Sequence, residues 1–554
     1  MARMKLAAPG LWGIKVLGLI YLVSTRNPET GAHFAMLATQ WELVTLVKFV
    51  IIWGATIAAL IIVAAHPNTL FRVFWGAMIA MSTAVQAGYY QATQTRLNMV
   101  DILTFWQVDE YERAYTFYQS AFLTGFLVLA LGLVVFLLPP PAVSQNLTKW
   151  IRRAWFVPMM PLAMLSLLFW LKGGWSLIAM PSHFSTTSLV SLALVEKAVH
   201  KAPKRAAVAW QPSGPKLSQN IVVLMDESIR GDYLDFTPHN SFTPALAKLS
   251  SSFVNFGAAA STGNCSNYSN ALVRFGASRR DISATANSNA TLFEYAKRAG
   301  YRTVFIDAQA QYIAFGNNLQ NFMTLQEAGA IDEVFSIKGV APELADFELS
   351  KILGGVLNSG QPTFVYANKN GAHFPYDLTY PHASAKFHPT MAEAGINTVE
   401  TRIASYRNAI SWSVDHFFEV LFETVNLDHT TVIYTSDHGQ RLTPGGVTHC
   451  ATTSVNPTMG IVPLFVYTHD QMLKEKFAQG AANSVRQASS FMIAPTVYKL
   501  MGYLNHDIET AYDESMFAGT RRPPSFTSGD IFGLFGRVPE LHEIDLSKSY
   551  LELR

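Results

Sequence analysis

Cysteine and charge are both scarce in this chain of 554 residues. The only cysteines are Cys265 and Cys450, so at most one intramolecular disulfide can form. Charged residues make up 14% of the chain, the net charge is +2, and no basic tract is interleaved with aromatic residues. This composition gives no indication of nucleic-acid binding. Internal repeats and low-complexity segments are absent from the sequence as well.

Hydrophobic residues, in contrast, make up half of the chain, and the mean hydropathy is positive. A chain of this length exceeds a single core and suggests two or three domains. The apolar excess lies before residue 175, in windows that approach the roughly 20 apolar residues needed to cross a bilayer. We predict an all-α membrane domain over 1–175 with five spans, near 8–25, 43–65, 70–92, 117–138 and 154–174.

The first span is the weakest of the five, because its apolar core is short and contains Lys15. A signal peptide is the alternative interpretation. No small-residue cleavage site follows it, so we interpret the segment as a span.

The basic residues near the predicted span ends indicate the topology. They fall into three groups: Arg3 with Lys5, Arg72 alone, and Lys149 with Arg152 and Arg153. The positive-inside rule places all three groups in the cytoplasm. Five crossings then put everything after the fifth span outside the cytoplasm.

Residues 176–219 form a predicted linker between the spans and the rest of the chain. Its segment 187–200 is expected to be an amphipathic helix lying on the membrane surface. Basic residues beside it are available for anionic headgroups: Lys197, Lys201, Lys204 and Arg205. A plain solvated linker helix is the alternative.

From residue 220 onward, short β-branched runs alternate with longer helical patterns. The strand-like runs are 221–225, 303–306, 363–366, 431–434 and 462–467, and the longest helical pattern is 398–425. The alternation predicts an extracytoplasmic α/β domain over 220–554, with a mainly parallel sheet covered by helices on both faces. Ligands of such sheets bind at the carboxyl ends of the strands.

Ser266 is the candidate nucleophile. It follows the turn formers Gly263 and Asn264 and precedes an apolar helical run at 271–275, so it is expected near a helix N-terminus. Unpaired N–H groups and the helix dipole favour an anion or alkoxide at that position. The alternative is a polar surface loop that caps an ordinary helix.

A metal site is predicted from residues at two strand ends. Asp437 and His438 close one strand-like run, and Glu227 follows another. A zinc ion held by these three residues keeps a fourth position open for Ser266, whose hydroxyl a dication would activate near neutral pH. His373 and His449 remain as candidates for a second ion, for phosphate binding or for proton donation.

The order and spacing of these motifs resemble the alkaline phosphatase/sulfatase superfamily, and within it the membrane-anchored phosphoethanolamine transferases that modify lipid A and related envelope glycans. The resemblance covers about 220–505. The matching segments are 220–230, 243–246, 253–255 with 265–269, 371–376 with 380–381, 406–410 with Asp415, 436–439 with His449, and 462–463.

This resemblance implies a multi-pass enzyme of the bacterial inner membrane with its catalytic domain in the periplasm. The implied reaction moves a phosphoethanolamine-type headgroup from a phosphatidylethanolamine-like lipid to lipid A, a core sugar or another envelope glycan. A phosphoseryl intermediate is expected on Ser266, with His373 and His449 as catalytic or phosphate-binding residues. One zinc ion is implied and a second is possible. We expect the protein to be a monomer.

The sequence also departs from the family pattern. Ser266 stands where the family usually has Thr, and a single Cys265 replaces a local cysteine pair. Gln440 stands where Glu often follows the Asp-His-Gly triplet, and Phe374 replaces Gly. These differences leave the metal chemistry intact but leave the acceptor and the headgroup open. A disulfide between Cys265 and Cys450 would tie the nucleophile to the His449 loop, and two free thiols are the alternative.

Three other functions remain open at this point. The same fold supports a phosphoglycerol transferase or a lipid phosphodiesterase. A sulfatase would need Cys265 as formylglycine, but the residues that follow it lack the maturation pattern. A non-catalytic lipid-sensing protein would have no physical reason to retain six ligating groups.

Overall fold

The computed structural model describes two compact units, 1–201 and 202–554. The division falls between the two boundaries expected from the sequence, at 175 and 220. Within these units the described residues are 8–39, 42–93, 96–99, 101–102, 119–140, 143–172, 174, 179–199, 205–309, 323–443, 447–451, 455–532 and 538–552. We call the two units the helical unit and the α/β unit and describe each by itself.

The described part of the helical unit contains eight helices. They are α1 (Ala8–Arg26), α2 (Thr30–Thr39), α3 (Leu43–Ala65), α4 (Thr69–Thr93), α5 (Gln119–Leu137), α6 (Gln145–Arg153), α7 (Met159–Leu171) and α8 (Ser182–Val199). Among the described residues, α3, α4 and α5 are long and apolar enough to cross a membrane. The remaining two expected spans correspond to α1 and to α7, which has only 13 residues. Five crossings therefore stay a prediction.

Small residues allow α4 and α5 to pack closely. A Cβ atom at Gly88 would lie 3.0 Å from the backbone oxygen of Ala121, and one at Gly132 would lie 2.7 Å from the Cβ of Ala80. Such close approach is typical of helix pairs in membranes, where small residues let the backbones meet.

The expected interfacial helix is integrated into the helical unit. Helix α8 begins at Ser182, earlier than expected, and packs against α4 and α7 with Phe184, Leu189 and Ala193 fully buried. Lys197, Lys201 and Lys204 lie outside the described side chains. The prediction that Arg205 contacts lipid headgroups was wrong. Arg205 is buried in the α/β unit, where it donates to the backbone oxygen of Asn289 and stacks on the Phe275 ring.

The α/β unit is built on a seven-stranded sheet. Its strands are β1 (Asn220–Asp226), β2 (Phe253–Ala260), β3 (Arg302–Asp307), β4 (Glu333–Ser336), β5 (Thr363–Asn368), β6 (Thr430–Ser436) and β7 (Ile461–Thr468), in the order β2-β7-β6-β1-β5-β3-β4. Strands β6, β1, β5, β3 and β4 pair in parallel, but β7 pairs antiparallel with both β6 and β2. The described sheet is therefore mixed, with four parallel pairings and two antiparallel ones.

Helices cover both faces of this sheet. The described helices are α9 (Pro244–Lys248), α10 (Ser266–Arg274), α11 (Ile282–Ser288), α12 (Leu292–Arg298), α13 (Leu325–Ala328), α14 (Pro342–Leu357), α15 (Met391–Ala394), α16 (Val399–Ile410), α17 (Phe417–Thr424), α18 (Gln471–Asn483), α19 (Ile493–Leu500) and α20 (Asn505–Ala511), and a small second sheet pairs β8 (Ser525–Ser528) with β9 (Glu540–Glu543). Alternate residues of β1 enter two separate apolar cores, with Val223 in one and Val222 in the other. Two buried cores explain why β1 is hydrophobic along its whole length.

Candidate metal centre

Two neighbouring strands bring the predicted metal ligands together. Strands β1 and β6 are adjacent and parallel, with Asp226 opposite Ser436, so their carboxyl ends lie side by side. Glu227 follows β1, and Asp437 and His438 follow β6. One ligand atom from each of these three residues lies within 4.8 Å of the others, and all three residues are buried.

The unpaired atoms of this cluster fit a cation. Asp437 Oδ1 accepts from the backbone nitrogens of Ser228 at 3.0 Å and His438 at 2.6 Å. Asp437 Oδ2 is buried and has no hydrogen-bond partner in the described structure. His438 Nε2 lies 3.7 Å from this oxygen. A buried carboxylate oxygen without a hydrogen bond is costly, and a bound dication would offset that cost. Carboxylate oxygens and an imidazole nitrogen form a donor set that zinc accepts.

The charges in the cluster act strongly on one another. Burial raises the pKa of Asp437 well above its usual range, and the charge of Glu227 raises it further. Burial acts in the same direction on Glu227, but the hydrogen bond and charge of His438 outweigh it and hold the Glu227 pKa well below its usual range. Burial opposes the charged form of His438, yet the Asp437 and Glu227 carboxylates raise its pKa to about 9. The two carboxylates therefore favour a positive charge at the position of the His438 ring.

The backbone fixes which nitrogen His438 presents to the cluster. His438 Nδ1 donates to the backbone oxygen of Gly439 at 2.8 Å. Its Nε2 then faces Ser266 Oγ at 3.0 Å and Glu227 Oε1 at 3.4 Å. A backbone carbonyl on the far nitrogen is the usual way to orient a metal-binding imidazole.

Ser266 lies directly against the predicted ligands. It is the first residue of α10, with Cys265 at the N-cap, and it is buried. Its Oγ lies 3.0 Å from Glu227 Oε2 and 3.0 Å from His438 Nε2. The candidate nucleophile thus lies within hydrogen-bond distance of two predicted metal ligands, at the N-terminus of a helix.

The two remaining histidines lie beside the cluster. The ring of His449 stacks on that of His438, with centroids 4.5 Å apart and an interplanar angle of 16°. Burial and the charge of His438 lower the pKa of His449 well below its usual value. His373 follows β5 and is partly exposed, and its charge acts on both Glu227 and His449. The roles of both histidines stay predictions.

A disulfide connects the nucleophile segment to the His449 loop. Cys265, directly before Ser266, is bonded to Cys450, and their Cα atoms are 4.5 Å apart. Two hydrogen bonds accompany it: the Cys450 nitrogen donates to the Asn264 oxygen at 2.7 Å, and Asn264 Nδ2 donates to the Ala451 oxygen at 2.7 Å. One disulfide and two hydrogen bonds therefore join the segment that carries Ser266 to the loop that carries His449.

Several residues that position Glu227 were missed by the sequence analysis. Gln309 Nε2 donates to Glu227 Oε2 at 3.1 Å and to the Lys369 backbone oxygen at 2.7 Å. Ser228 Oγ donates to Glu227 Oε1 at 2.6 Å and accepts from Gln440 Nε2 at 2.6 Å. Both carboxylate oxygens of Glu227 are thus held from outside the cluster. Gln309 lies two residues beyond β3, so a search of every strand end would have found it.

A buried ion pair lies beneath the cluster and was also missed. Lys369, just after β5, contacts Asp226 Oδ2 and donates to the Ser413 backbone oxygen at 2.5 Å. Tyr434 donates to the same Asp226 oxygen at 2.7 Å. Burial raises the pKa of Asp226 to about 6, although the Lys369 ammonium acts in the opposite direction. Ser413 belongs to the π-helical turn 411–416 that interrupts the long helix predicted over 398–425.

Comparison with known proteins gives three results. Residues 219–503, just over half of the chain, match the family model described as Sulfatase. The Kdo(2)-lipid A phosphoethanolamine 7''-transferase of Salmonella typhimurium is 23% identical over 273 residues, which are 48% of this chain and 48% of that protein. The match therefore spans about half the length of that curated relative.

The third result concerns a solved structure. The integral membrane protein lipooligosaccharide phosphoethanolamine transferase A from Neisseria meningitidis superimposes with a TM-score of 0.63 at 18% identity, covering 88% of this chain and 95% of that chain. At this identity the likeness shows the fold, and the covered range includes both the helical and the α/β unit.

Proposed function

The chain belongs to the sulfatase family, and from this premise we propose that it is a metal-dependent transferase of substituted phosphate groups. The proposed reaction moves a phosphoethanolamine-type headgroup from a membrane phospholipid to an envelope lipid or glycan. One observation carries the proposal: Ser266 Oγ lies 3.0 Å from both Glu227 Oε2 and His438 Nε2, inside a buried cluster of cation ligands. The activity named for the Salmonella typhimurium relative supports the choice of headgroup.

The zinc ion would be held by Glu227, Asp437 and His438. When bound, it would stabilise negative charge on the Ser266 oxygen and on the phosphoryl oxygens. The unpaired Asp437 Oδ2 and the Nε2 of His438 are the atoms that support this assignment. One ion accounts for this set of ligands.

The reaction proceeds in two displacements at phosphorus. Ser266 Oγ attacks the phosphodiester of the donor lipid, its proton leaves toward Glu227 Oε2, and the bond from phosphorus to the diacylglycerol oxygen breaks. The diacylglycerol oxygen takes up a proton from one of the two histidines, His373 or His449, and departs. The acceptor hydroxyl then attacks the phosphorus and its proton passes to that histidine. The bond from phosphorus to Ser266 Oγ breaks, and Oγ takes its proton back from Glu227. His373 and His449 hold the phosphoryl group and act as acid and base.

The helical unit gives this reaction its location. Three of its described helices are long and apolar enough to cross a membrane. A donor lipid resides in the bilayer, so a tethered enzyme meets it at high effective concentration. We place the protein in the bacterial inner membrane with the catalytic domain in the periplasm, and we expect it to act as a monomer.

The disulfide argues against the sulfatase alternative, in which Cys265 would be converted to the nucleophile. Formylglycine formation would require Cys265 as a free thiol, and Cys265 is bonded to Cys450. The phosphoglycerol transferase and lipid phosphodiesterase alternatives use the same site and differ in the group that is moved.

Substitution of Ser266 tests the proposal directly. Cells that produce Ser266→Ala should lack the modified envelope lipid, while cells with the matched variant Ser288→Ala, an exposed serine of α11, should contain it. Mass spectrometry of lipid A and other envelope glycans identifies the group by its added mass. Modification at the wild-type level in Ser266→Ala cells would overturn the assignment, and an added glycerol phosphate would change the headgroup.

A further inference from the structure

A second buried polar cluster lies within the helical unit, formed by residues 27–30, 82–90, 96–98 and 182–186. Asn27 Oδ1 accepts from the Ser182 nitrogen at 2.9 Å, and Ser82 Oγ donates to the Ser182 oxygen at 2.9 Å. Ser182 Oγ and Thr30 Oγ1 are buried without a hydrogen-bond partner in the described structure. Polar groups in a unit with membrane-crossing helices are costly when unpaired, so each such atom calls for an explanation.

Gln86 on α4 provides a donor to this cluster. Its side chain is 1% exposed. Gln86 Oε1 accepts from the Leu97 nitrogen at 3.4 Å, which fixes the orientation of the amide. Gln86 Nε2 is buried and meets no acceptor among the described residues. The site therefore contains an amide NH₂ group with no hydrogen-bond partner in the described part of the chain.

His183, at the start of α8, provides an acceptor. Thr83 Oγ1 donates its proton to the Ile79 oxygen at 2.7 Å, so the donor in the 2.9 Å contact between His183 and Thr83 Oγ1 is His183 Nδ1. The neutral His183 ring then carries a lone pair on Nε2, which is buried without a partner in the part of the chain that is described. Thr83 and Gln86 are three residues apart and lie on the same face of α4, so His183, which contacts Thr83, packs against the face that carries Gln86.

Arg96 adds a cation beside these two side chains. It precedes Leu97, the partner of Gln86, and its charge acts on the His183 ring. Arg96 Nη2 binds Glu29 Oε2 at 2.7 Å, whereas Arg96 Nε is buried and has no partner among the described residues. Its guanidinium binds Glu29 through Nη2 and still has the Nε–H group available to donate to an oxyanion.

We propose that this cluster binds the headgroup of a membrane phospholipid. The phosphate oxygens accept from Arg96 Nε and Gln86 Nε2, and an amine or hydroxyl of the headgroup donates to His183 Nε2. Phosphatidylethanolamine and phosphatidylglycerol both supply this pair of groups, but phosphatidylcholine has no N–H or O–H donor in its headgroup. The proposal concerns residues of the helical unit and does not depend on the transferase assignment.

Native mass spectrometry of the full-length protein tests this site. The protein is incubated with phosphatidylethanolamine, phosphatidylglycerol, phosphatidylcholine or inorganic phosphate, and the retained ligand is counted. The wild type should retain the first two lipids in preference to phosphatidylcholine. Gln86→Leu and Arg96→Gln should each retain about tenfold less of both preferred lipids, because a charge-assisted hydrogen bond is lost.

Thr56→Val serves as the matched control, since Thr56 is also buried in a membrane-crossing helix but its hydroxyl donates to the Ile52 oxygen at 2.9 Å. It should retain lipid as the wild type does. A second measurement keeps the test valid if Arg96→Gln does not fold: added phosphatidylethanolamine should raise the Tm of the wild type in detergent but should no longer raise that of Gln86→Leu. Equal lipid retention by Gln86→Leu and the wild type overturns the proposal, as does binding of inorganic phosphate as strong as that of phospholipid.

Discussion

The two units each contain a buried polar cluster, and the clusters differ in the kind of atom that is left unpaired. At the strand ends of the α/β unit the unpaired side-chain atoms beside Glu227 are acceptors, namely Asp437 Oδ2, Gln309 Oε1 and Gln440 Oε1. In the helical unit they include two donors, Gln86 Nε2 and Arg96 Nε, together with the acceptor His183 Nε2. Unpaired acceptors suit a cation and unpaired donors suit an anion. Among these described unpaired atoms, the proposed metal site therefore has only acceptors to offer a ligand, whereas the proposed headgroup site has donors for a phosphate and an acceptor for an amine or hydroxyl.

The two clusters also differ in how firmly they are held. In the α/β unit, Glu227 receives hydrogen bonds on both carboxylate oxygens, and the Cys265–Cys450 disulfide connects the segments that carry Ser266 and His449. In the described helical unit the cluster is joined by hydrogen bonds and the Arg96–Glu29 ion pair. A site that positions reacting atoms needs such second-layer support, whereas a headgroup site tolerates adjustment.

The largest expected effect comes from replacing the carboxylate of Asp437 by an uncharged amide. Asp437→Asn replaces an acceptor with an amide and removes a ligand charge, so bound zinc should be lost and headgroup transfer should fall by about a thousandfold or more. Metal analysis of the purified protein and mass spectrometry of lipid A measure the two effects. Asp428→Asn, an exposed aspartate near the other end of β6, is the control. Full zinc content in Asp437→Asn would contradict the cation assignment.

The next largest effect concerns the ion pair beneath the metal centre. Lys369→Met leaves Asp226 buried and unpaired, so the free energy of unfolding should fall by about 3–5 kcal/mol. Adding Asp226→Asn should restore part of this loss, because it neutralises one of the two buried carboxylates that face Lys369, the other being Asp346 at 3.6 Å. Denaturant unfolding of the single and double variants measures both. A double variant no more stable than Lys369→Met would show that the pair does not act as a unit.

Removal of the disulfide should have a smaller effect, confined to the α/β unit. The bond closes a loop with a sequence separation of 185, and its removal by Cys265→Ser with Cys450→Ser should lower the free energy of unfolding by about 2–4 kcal/mol. Transfer activity should fall as well, since the loop that carries His449 loses its covalent link to Ser266. Phospholipid retention should not change. A loss of lipid retention in the double variant would contradict the separation of the two sites.

The smallest expected effect sharpens the comparison most, because the same substitution is made in both clusters. Gln309→Leu removes a donor that Glu227 uses, so zinc affinity should fall about 10- to 100-fold. Gln86→Leu, in contrast, should leave zinc affinity unchanged, and it should abolish the rise in Tm that added phosphatidylethanolamine gives the wild type. Zinc titration and thermal unfolding of both variants, with Gln361→Leu at an exposed position before β5 as control, compare them. Equal zinc affinity of Gln309→Leu and the wild type would show that Gln309 does not position Glu227.

The elements that were predicted well depend on local patterns. The β-branched run 221–225 lies within β1, and 431–434 lies within β6, because a fully buried strand has to be apolar along its length. The strand-end rule then pointed to Glu227, Asp437 and His438, which the structure brings within 4.8 Å of one another. Ser266 was located by the turn formers before it, and it does begin α10.

The elements that were missed depend on partners far away in the chain. The π-helical turn at 411–416 accompanies the contact of Lys369 with the Ser413 oxygen, and those residues are 44 positions apart. Arg205 was interpreted as a headgroup ligand because it is a basic residue close in sequence to an apolar helix. The sequence near Arg205 does not indicate which distant ring its side chain contacts. Its actual partner is the ring of Phe275.

The sequence by itself determined the division into a helical and an α/β part, the position of Glu227, Asp437 and His438 at strand ends and that of Ser266 at a helix start, because hydrophobic periodicity and turn chemistry act over a few residues. Only the tertiary structure decided that β7 runs antiparallel, that Gln309 and Ser228 hold Glu227, and that Gln86 Nε2 and His183 Nε2 are buried without a hydrogen-bond partner in the described structure. These features depend on which distant groups meet, and a hydrogen bond between residues far apart in the chain leaves no mark on the local pattern of either one.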